Sequence, residues 1–398
     1  MSIKSSRSNF TSDPIIGVIG GGQLAQMLCE AAALRKINVA IQASSDNDPA
    51  TNKAIEVVLS DSTNIEGTRK ISEFCKCITF ENEWVNINDL KILEEEGVTF
   101  IPNIDSLTPL VDKVSQRNLL RELNIPCTDW IPLLTDNLID FNLPPDWNFP
   151  LMAKVSRGGY DGKGTKIINN SDDLNHLLSS VDRNKWFLEK WVKYQKEYSL
   201  VASRDRKGHI RTFNLAETCQ SDQVCDWVLV PADVSHSVKA FAYNIAASLL
   251  TKLNYFGVIA IEFFYGDNGL LVNEIAPRTH NSAHFSIEAC KSSQFDQQLC
   301  IAAGLNVEDP EMISPGALMV NLLGQEKTTS ISLLDRVEAL RAQYGSNFHW
   351  YGKEFEAPGR KMGHITVLLH EENKSVRREE AKIALEKIRT IWSLNGSS

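Results

Sequence analysis

Short apolar runs alternate with amphipathic stretches along the chain. Residues 15–20 read IIGVIG, followed by Leu24, Met27, Leu28 and Ala31 at the i, i+3, i+4, i+7 spacing of a helix face. NVAIQA at 38–43 predicts a second strand, with DNDP at 46–49 as a turn. A strand–helix–strand opening belongs to an α/β domain with a parallel sheet. CKCITF at 75–80 and GVTFIP at 97–102 extend it, so a first domain over 1–112 is expected. Residues 113–125 predict a helix stopped by Pro126, and the polar, proline-rich stretch from Trp130 to Trp147 predicts a connection. From 149 to 200 the pattern turns β-rich, in FPLMAKVS, TKIIN, WFLEKWV and EYSLVAS, and a helix follows at 237–253. EDPEMISPG at 308–316 marks a boundary, giving a second domain over 113–307 and a smaller unit over 308–398. That last unit is expected to hold strands near 317–323 and 364–370 and a charged helix at 376–390.

The most informative runs are GVIAIEFF (257–264) and GLLVNEI (269–275), joined through YGDNG, whose Asp, Asn and Gly favour a tight reversal. A hairpin symmetric about Asn268 would set Glu262 and Glu274 opposite each other, with Cβ atoms ~5 Å apart. Like charges so placed are destabilising unless a cation joins them. Paired carboxylates are the hard oxygen ligands that Mg²⁺ takes when it also holds substrate phosphates. Beyond Glu274 the chain reads Ala276-Pro277-Arg278-Thr279-His280-Asn281-Ser282. A guanidinium fork, an imidazole and an amide this close to a strand end favour a site over packing.

Two glycine clusters bear on the same chemistry. Gly20-Gly21-Gly22-Gln23-Leu24-Ala25 follows a strand and opens a helix, where backbone N–H groups can hold an anion. It also meets a loose G-x-G-x-x-A dinucleotide fingerprint, and a purely structural turn remains open. Lys154 to Gly164 (KVSRGGYDGKG) places four glycines between two β-like runs, a loop able to wrap phosphates. Alternation puts Met152, Lys154 and Ser156 on one face, with Lys154 inward. Glu189-Lys190-Trp191-Val192 suits an adenine edge, with Glu197 placed for ribose hydroxyls. Trp350-Tyr351-Gly352-Lys353-Glu354 and Pro358-Gly359-Arg360-Lys361 could clamp a sugar phosphate.

Bulk properties narrow the classes. A chain of 398 residues exceeds one hydrophobic core, so two or three domains are expected. A net charge of −9 gives no basic face for nucleic acid, and no apolar run reaches the roughly 18 residues of a membrane span. The N-terminal MSIKSSRSNFTSDP lacks the apolar core of a secretory signal and reads as a short disordered lead. The eight cysteines form no CxxC pair, so neither a zinc site nor a disulfide framework is expected, and a reducing cytoplasm is.

The stretches IGVIGGGQLAQML, TFENE (79–83), RGGYDGKG, IEFF…LLVNEIAPRTHNSAH, SQFDQQL (293–299) and WYGKE…PGRKMGH together resemble the ATP-grasp superfamily. More narrowly, they resemble the N5-carboxyaminoimidazole ribonucleotide synthase family. The resemblance implies an α/β fold of three parts: a Rossmann-like N-terminal domain, a central ATP-grasp domain and a small C-terminal domain completing the substrate site. It implies ATP- and bicarbonate-dependent carboxylation of 5-aminoimidazole ribonucleotide through carboxyphosphate, in purine biosynthesis, with Mg²⁺ on Glu262 and Glu274. Lys113 and Lys154 would contact phosphates, and Gly158, Gly159, Tyr160, Asp161, Gly162, Lys163 and Gly164 would cover them. Glu189, Lys190, Trp191 and Val192 would hold adenine, and Glu197 the ribose. Gln23, Leu24, Glu83, Tyr160, Asn281, Ser282 and Arg360 would hold the nucleotide substrate. Arg278, His280 and Lys353 would serve both substrate and carboxylation, Arg278 and His280 as stabilisers of carboxyphosphate, while Asp161 meets the amine proton. A homodimer coupled to a downstream mutase is implied as well. The chain departs from the family at Glu217-Thr218-Cys219-Gln220, where Glu-Asn-x-His is frequent. Competing readings are a formate-dependent glycinamide ribonucleotide transformylase, a biotin carboxylase, a nicotinamide-dependent oxidoreductase and a non-catalytic nucleotide sensor.

Overall fold

The computed structural model describes residues 15–133, 141–159, 164–325 and 331–393, so the disordered lead expected at the N-terminus lies outside them. Strands β1 (Ile15–Ile19), β2 (Asn38–Ala43), β3 (Glu56–Leu59) and β4 (Cys77–Phe80) form a parallel sheet in the order β3-β2-β1-β4. Ile16 and Val18 pack beneath the helix Gln23–Leu34, whereas Ile15 and Ile19 pack toward Ile71, Leu90 and Leu93 on the other face. Cover on both faces is why these strands read as unbroken apolar runs. The strand expected at 97–102 is reduced to one bridge, Ile78 to Phe100.

A smaller antiparallel sheet follows, with β5 (Trp130–Pro132), β6 (Leu151–Val155), β7 (Thr165–Ile168) and β8 (Trp186–Lys190) in the order β5-β8-β6-β7. β5 lies inside the stretch read as a connection. Leu151 and Ala153 join Leu174 and Leu177 of the helix Ser171–Ser180 in its core. Lys154 alternates to the other face and pairs with Thr165 across the glycine loop.

The third sheet holds β9 (Lys196–Arg204), β10 (Ile210–Thr212), β11 (Ala216–Ser221), β12 (Val224–Val230), β13 (Gly257–Gly266), β14 (Gly269–Ala276), β15 (Gly316–Leu323), β16 (Phe348–Trp350) and β17 (Lys361–Leu369). Its order is β14-β13-β9-β11-β12-β15-β17-β16, with β10 on β9. β12 pairs with β15, Val228 opposite Met319, so the strands of the unit expected from residue 308 extend this sheet. The helices Lys113–Glu122 and His236–Lys252 bury Leu119, Leu120, Ile245 and Leu249 against Ile259, Ile261, Phe263, Val272 and Ile275. Each such side chain contributes roughly 1.5–3 kcal/mol, which fixes β13 and β14 firmly.

The divergent segment at Glu217 has a structural place. β11 and β12 form a hairpin whose turn residues Asp222 and Gln223 have φ of 49° and 66°. Glu217 accepts from Lys196 at 2.8 Å and from Arg378 of the final helix, Lys374–Ile391, at 2.6 Å. Burial opposes its ionisation, yet Arg378 and Lys196 hold it below the ordinary 4.5. Its anchoring contribution is therefore full above that value and is lost as pH falls below it. Glu217→Gln is expected to cost about 1–2 kcal/mol near pH 7, discounted for half-exposed partners. Thermal unfolding across the acid range should show the gap from the unmodified protein closing.

Candidate active site

β13 and β14 meet in a two-residue turn, Asp267–Asn268, with Gly266 opposite Gly269 and φ of Gly269 at 76°. The ladder from that turn pairs Phe263 with Val272. Carried on evenly, it would set Glu262 against Asn273 and turn Glu274 to the other face. Instead the register shifts and Glu262 faces Glu274, with Asn273 as the extra residue of a β-bulge. Leu270 and Val272 point into the helix-covered core, and after the bulge Ile275 does so next. The two glutamates share the opposite face. Their opposition matches the sequence reading, but a tighter turn and a bulge produce it, not symmetry about Asn268.

Lys113, the first residue of its helix, donates Nζ to Glu274 Oε1. Burial alone would raise the Glu274 carboxyl, and Lys113 more than reverses that, leaving it below its ordinary range. Glu262 faces acids instead: burial, Glu274 and Glu197 push it up to about 7. Partly exposed hard oxygens with one member short of positive charge suit a divalent cation. Among the described residues no group of three or more His, Cys, Asp or Glu is placed to hold a metal. Further ligands would have to be phosphate oxygens and water, which is the habit of Mg²⁺.

Lys154 Nζ lies 2.6 Å from Glu189 Oε2 and 3.2 Å from Asn273 Oδ1. Glu189 is 2% exposed and accepts from Arg117 Nε at 2.7 Å. Burial opposes its ionisation, but Lys154 and Arg117 keep its carboxyl below the ordinary value. The Glu189 side chain is thus committed to two cations, and β8, whose backbone was expected at the adenine edge, is flanked there by β5 and β6. Lys190, also expected at adenine, points outward to Asp146 at 2.9 Å, and Trp191 and the half-buried Val192 lie past the strand end. Glu197 bonds Tyr194 and Gln220, and burial raises it.

Arg278 Nε donates to Glu83 Oε2 at 2.6 Å, so two residues expected on the nucleotide neutralise each other. His280 Nδ1 accepts from the Ser282 amide at 3.3 Å, which puts the ring proton on Nε2, 3.6 Å from Glu262 Oε1. Burial, then Arg278 and Lys361, lower this imidazole to about 3. His280 therefore offers a neutral N–H donor. Asn281 and Asn321 exchange amide hydrogen bonds of 2.9 and 2.7 Å, and Ser282 Oγ lies 2.6 Å from Ser199 Oγ. Both residues are buried, and these bonds support the His280 loop.

The first glycine turn holds a residue that sequence reasoning missed. Glu81 accepts from the Gly22 amide at 2.6 Å and the Leu24 amide at 3.2 Å. A Cβ on Gly20 or Gly22 would lie 2.4 Å from its carboxylate. At this helix N-terminus the Gly22 and Leu24 amides are thus taken by the chain's own acid. The signal was an acid just beyond an adjacent parallel strand. Gln23 Oε1 accepts from Lys353 Nζ at 2.7 Å, joining the first sheet's loop to the C-terminal segment. Arg360 is exposed and donates to the Phe355 carbonyl at 2.7 Å. In the second glycine loop Gly158 and Gly164 have φ of 79° and 83°, and a Cβ on Gly164 would meet Val155 at 2.4 Å. Gly159 is half-buried there, while Tyr160, Asp161, Gly162 and Lys163 lie outside the described residues.

Residues 14–110 match the ribonucleotide synthetase preATP-grasp domain, 118–295 the ATP-grasp domain and 317–378 the phosphoribosylaminoimidazole carboxylase C-terminal domain. With the carboxylate pair and its cations, that succession defines an ATP-grasp ligase. The chain is 39% identical to the N5-carboxyaminoimidazole ribonucleotide synthase of Synechocystis sp., over 95% of this chain and 97% of that one. It is similar to the Aspergillus clavatus carboxyaminoimidazole ribonucleotide synthase solved with ATP, at 28% identity and a TM-score of 0.85, covering 95% of this chain and 98% of that one. A second Aspergillus clavatus structure, N5-carboxyaminoimidazole synthase with ADP and 5-aminoimidazole ribonucleotide, matches at 27% identity and a TM-score of 0.84, with 95% and 98% covered. The chain belongs to the N5-carboxyaminoimidazole ribonucleotide synthase family.

Gly22→Ala is expected to cost about 1–3 kcal/mol by overpacking against Glu81. In a Glu81→Ala background the same change should cost much less, since its clash is gone. Denaturant unfolding of the four proteins in this cycle measures the coupling.

Proposed function

We infer that this protein carboxylates the amine of 5-aminoimidazole ribonucleotide with ATP and bicarbonate, giving N5-carboxyaminoimidazole ribonucleotide, ADP and phosphate. The observation that carries this reading is the Glu262–Glu274 opposition, with Lys113, Lys154 and Arg278 around it. A bicarbonate oxygen attacks the γ-phosphorus and ADP leaves, giving carboxyphosphate. The amine nitrogen then bonds to the carboxyl carbon as phosphate departs and the amine gives up a proton. Mg²⁺ held by Glu262 and Glu274 supplies positive charge to the phosphate oxygens. Lys113 and Lys154 face the same phosphates as point charges, and the loop from Gly158 to Gly164 covers them. Adenine lies against Trp191 and Val192 beyond β8, and ribose against Glu197. Arg278 and the Nε2–H of His280 stabilise charge on the transferred carboxyl. Gln23, Glu83, Lys353 and Arg360 take the nucleotide substrate, and Asp161 the amine proton. On this reading the protein is a cytoplasmic homodimer that passes its product to a mutase.

Initial rates of ADP release test it. Strong stimulation by 5-aminoimidazole ribonucleotide with bicarbonate is expected, and none by glycinamide ribonucleotide with formate. If the first pair fails to stimulate, the reading is wrong. Glu274→Gln should lower ATP turnover by at least about 100-fold with the fold intact, because it removes ligand charge and no packing. Circular dichroism beside the assay separates those effects. Lys353→Ala should raise KM for the nucleotide substrate more than KM for ATP. Equal rises would move Lys353 out of that site.

A further inference from the structure

Arg117 lies one helical turn beyond Lys113, is 2% exposed, and has no part in the chemistry above. It makes three contacts that matter together. A bulge takes a backbone carbonyl out of the ladder, and a buried carbonyl needs a donor. Arg117 Nη2 supplies one to Asn273, the bulge residue, at 2.6 Å. Its Nε holds Glu189 Oε1 at 2.7 Å, with Nη2 also 2.6 Å from that oxygen. The other oxygen of Glu189 holds Lys154 at 2.6 Å, and Lys154 reaches back to Asn273 Oδ1 at 3.2 Å. One planar guanidinium therefore ties the bulge that presents Glu274 to the acid that places Lys154. An ammonium has no fork with which to span both.

We propose that Arg117 is a positioning residue of the nucleotide–metal site, setting the bulge behind Glu274 and, through Glu189, the position of Lys154. This rests on the ATP-dependent reading and goes beyond it, since Arg117 itself need touch neither nucleotide nor metal. Substitutions at Arg117 should loosen metal and phosphate binding out of proportion to any loss of stability.

The test compares the unmodified protein, Arg117→Lys and Leu120→Ala. Leu120 is fully buried on the same helix and packs in the apolar core, so its truncation supplies a structural control. Calorimetry follows ADP binding in EDTA and Mg²⁺ titrated into the ADP complex, with thermal unfolding measured on each protein alone. Arg117→Lys is expected to weaken Mg²⁺ on the order of 10- to 100-fold, as loss of an outer partner of metal ligands does. Leu120→Ala should lower the unfolding midpoint yet leave the Mg²⁺ titration unchanged. Equal Mg²⁺ affinity in Arg117→Lys and the unmodified protein overturns the proposal, as does a loss that tracks stability in both variants. An unmodified protein that binds no ADP overturns the parent reading along with it. Should Arg117→Lys not fold, Glu189→Gln reads the same linkage. It should weaken ADP several-fold in EDTA, and unchanged ADP binding would refute the linkage.

Discussion

Two carboxylates held face to face on a half-buried sheet impose the constraint to which the neighbouring structure answers. At ~5 Å and an effective dielectric near 20, their repulsion is roughly 3 kcal/mol, a sizeable share of a domain's net stability. The chain meets this asymmetrically. Glu274 is given Lys113, whereas Glu262 is left among acids and takes up a proton near neutrality. A symmetric pair of cations would have satisfied both carboxylates alike.

The same pattern recurs around the site. Lys154 and Arg117 share Glu189, Arg278 holds Glu83, and Lys353 rests on Gln23. Glu189 and Arg117 are buried, where an unpaired charge would cost several kcal/mol. On the proposed reading, a polyphosphate entering among them would compete with carboxylates for cations already oriented, so little side-chain entropy would be lost on binding. Glu81 shows the limiting case, in which the chain's own acid takes two amides of such a turn.

Much of this was legible in sequence. The parallel first sheet followed from its unbroken apolar runs, the site hairpin from turn residues between two β-like stretches, and Lys154's inward face from alternation. What stayed hidden depended on contacts between distant segments. Glu81 lies 59 positions from Gly22 along the chain, and a glycine-rich turn looks the same whether phosphate or carboxylate fills it. The bulge at Asn273 was invisible because a different turn with an even ladder yields the same glutamate pairing. Arg117 sat in a helix whose Lys113 drew attention, and local periodicity does not tell a buried guanidinium from a solvated one. The hairpin at Glu217 was obscured by departure from family pattern, although its acid proved to anchor the last helix.

Continuity of the large sheet has a mechanical consequence. From β14 through β16 the strands are joined by one unbroken series of ladders, so Glu262, Glu274 and the segment leading to Lys353 form a stiff block. β6 and β8, which carry Lys154 and Glu189, belong to a separate sheet tied to that block by a few side chains, among them Thr165 to Gln223 at 2.8 Å. Any flexing between the sheets therefore alters the span from Lys154 to the carboxylates while preserving the geometry of the opposite wall. The molecule is built as an anvil with a separately hung jaw.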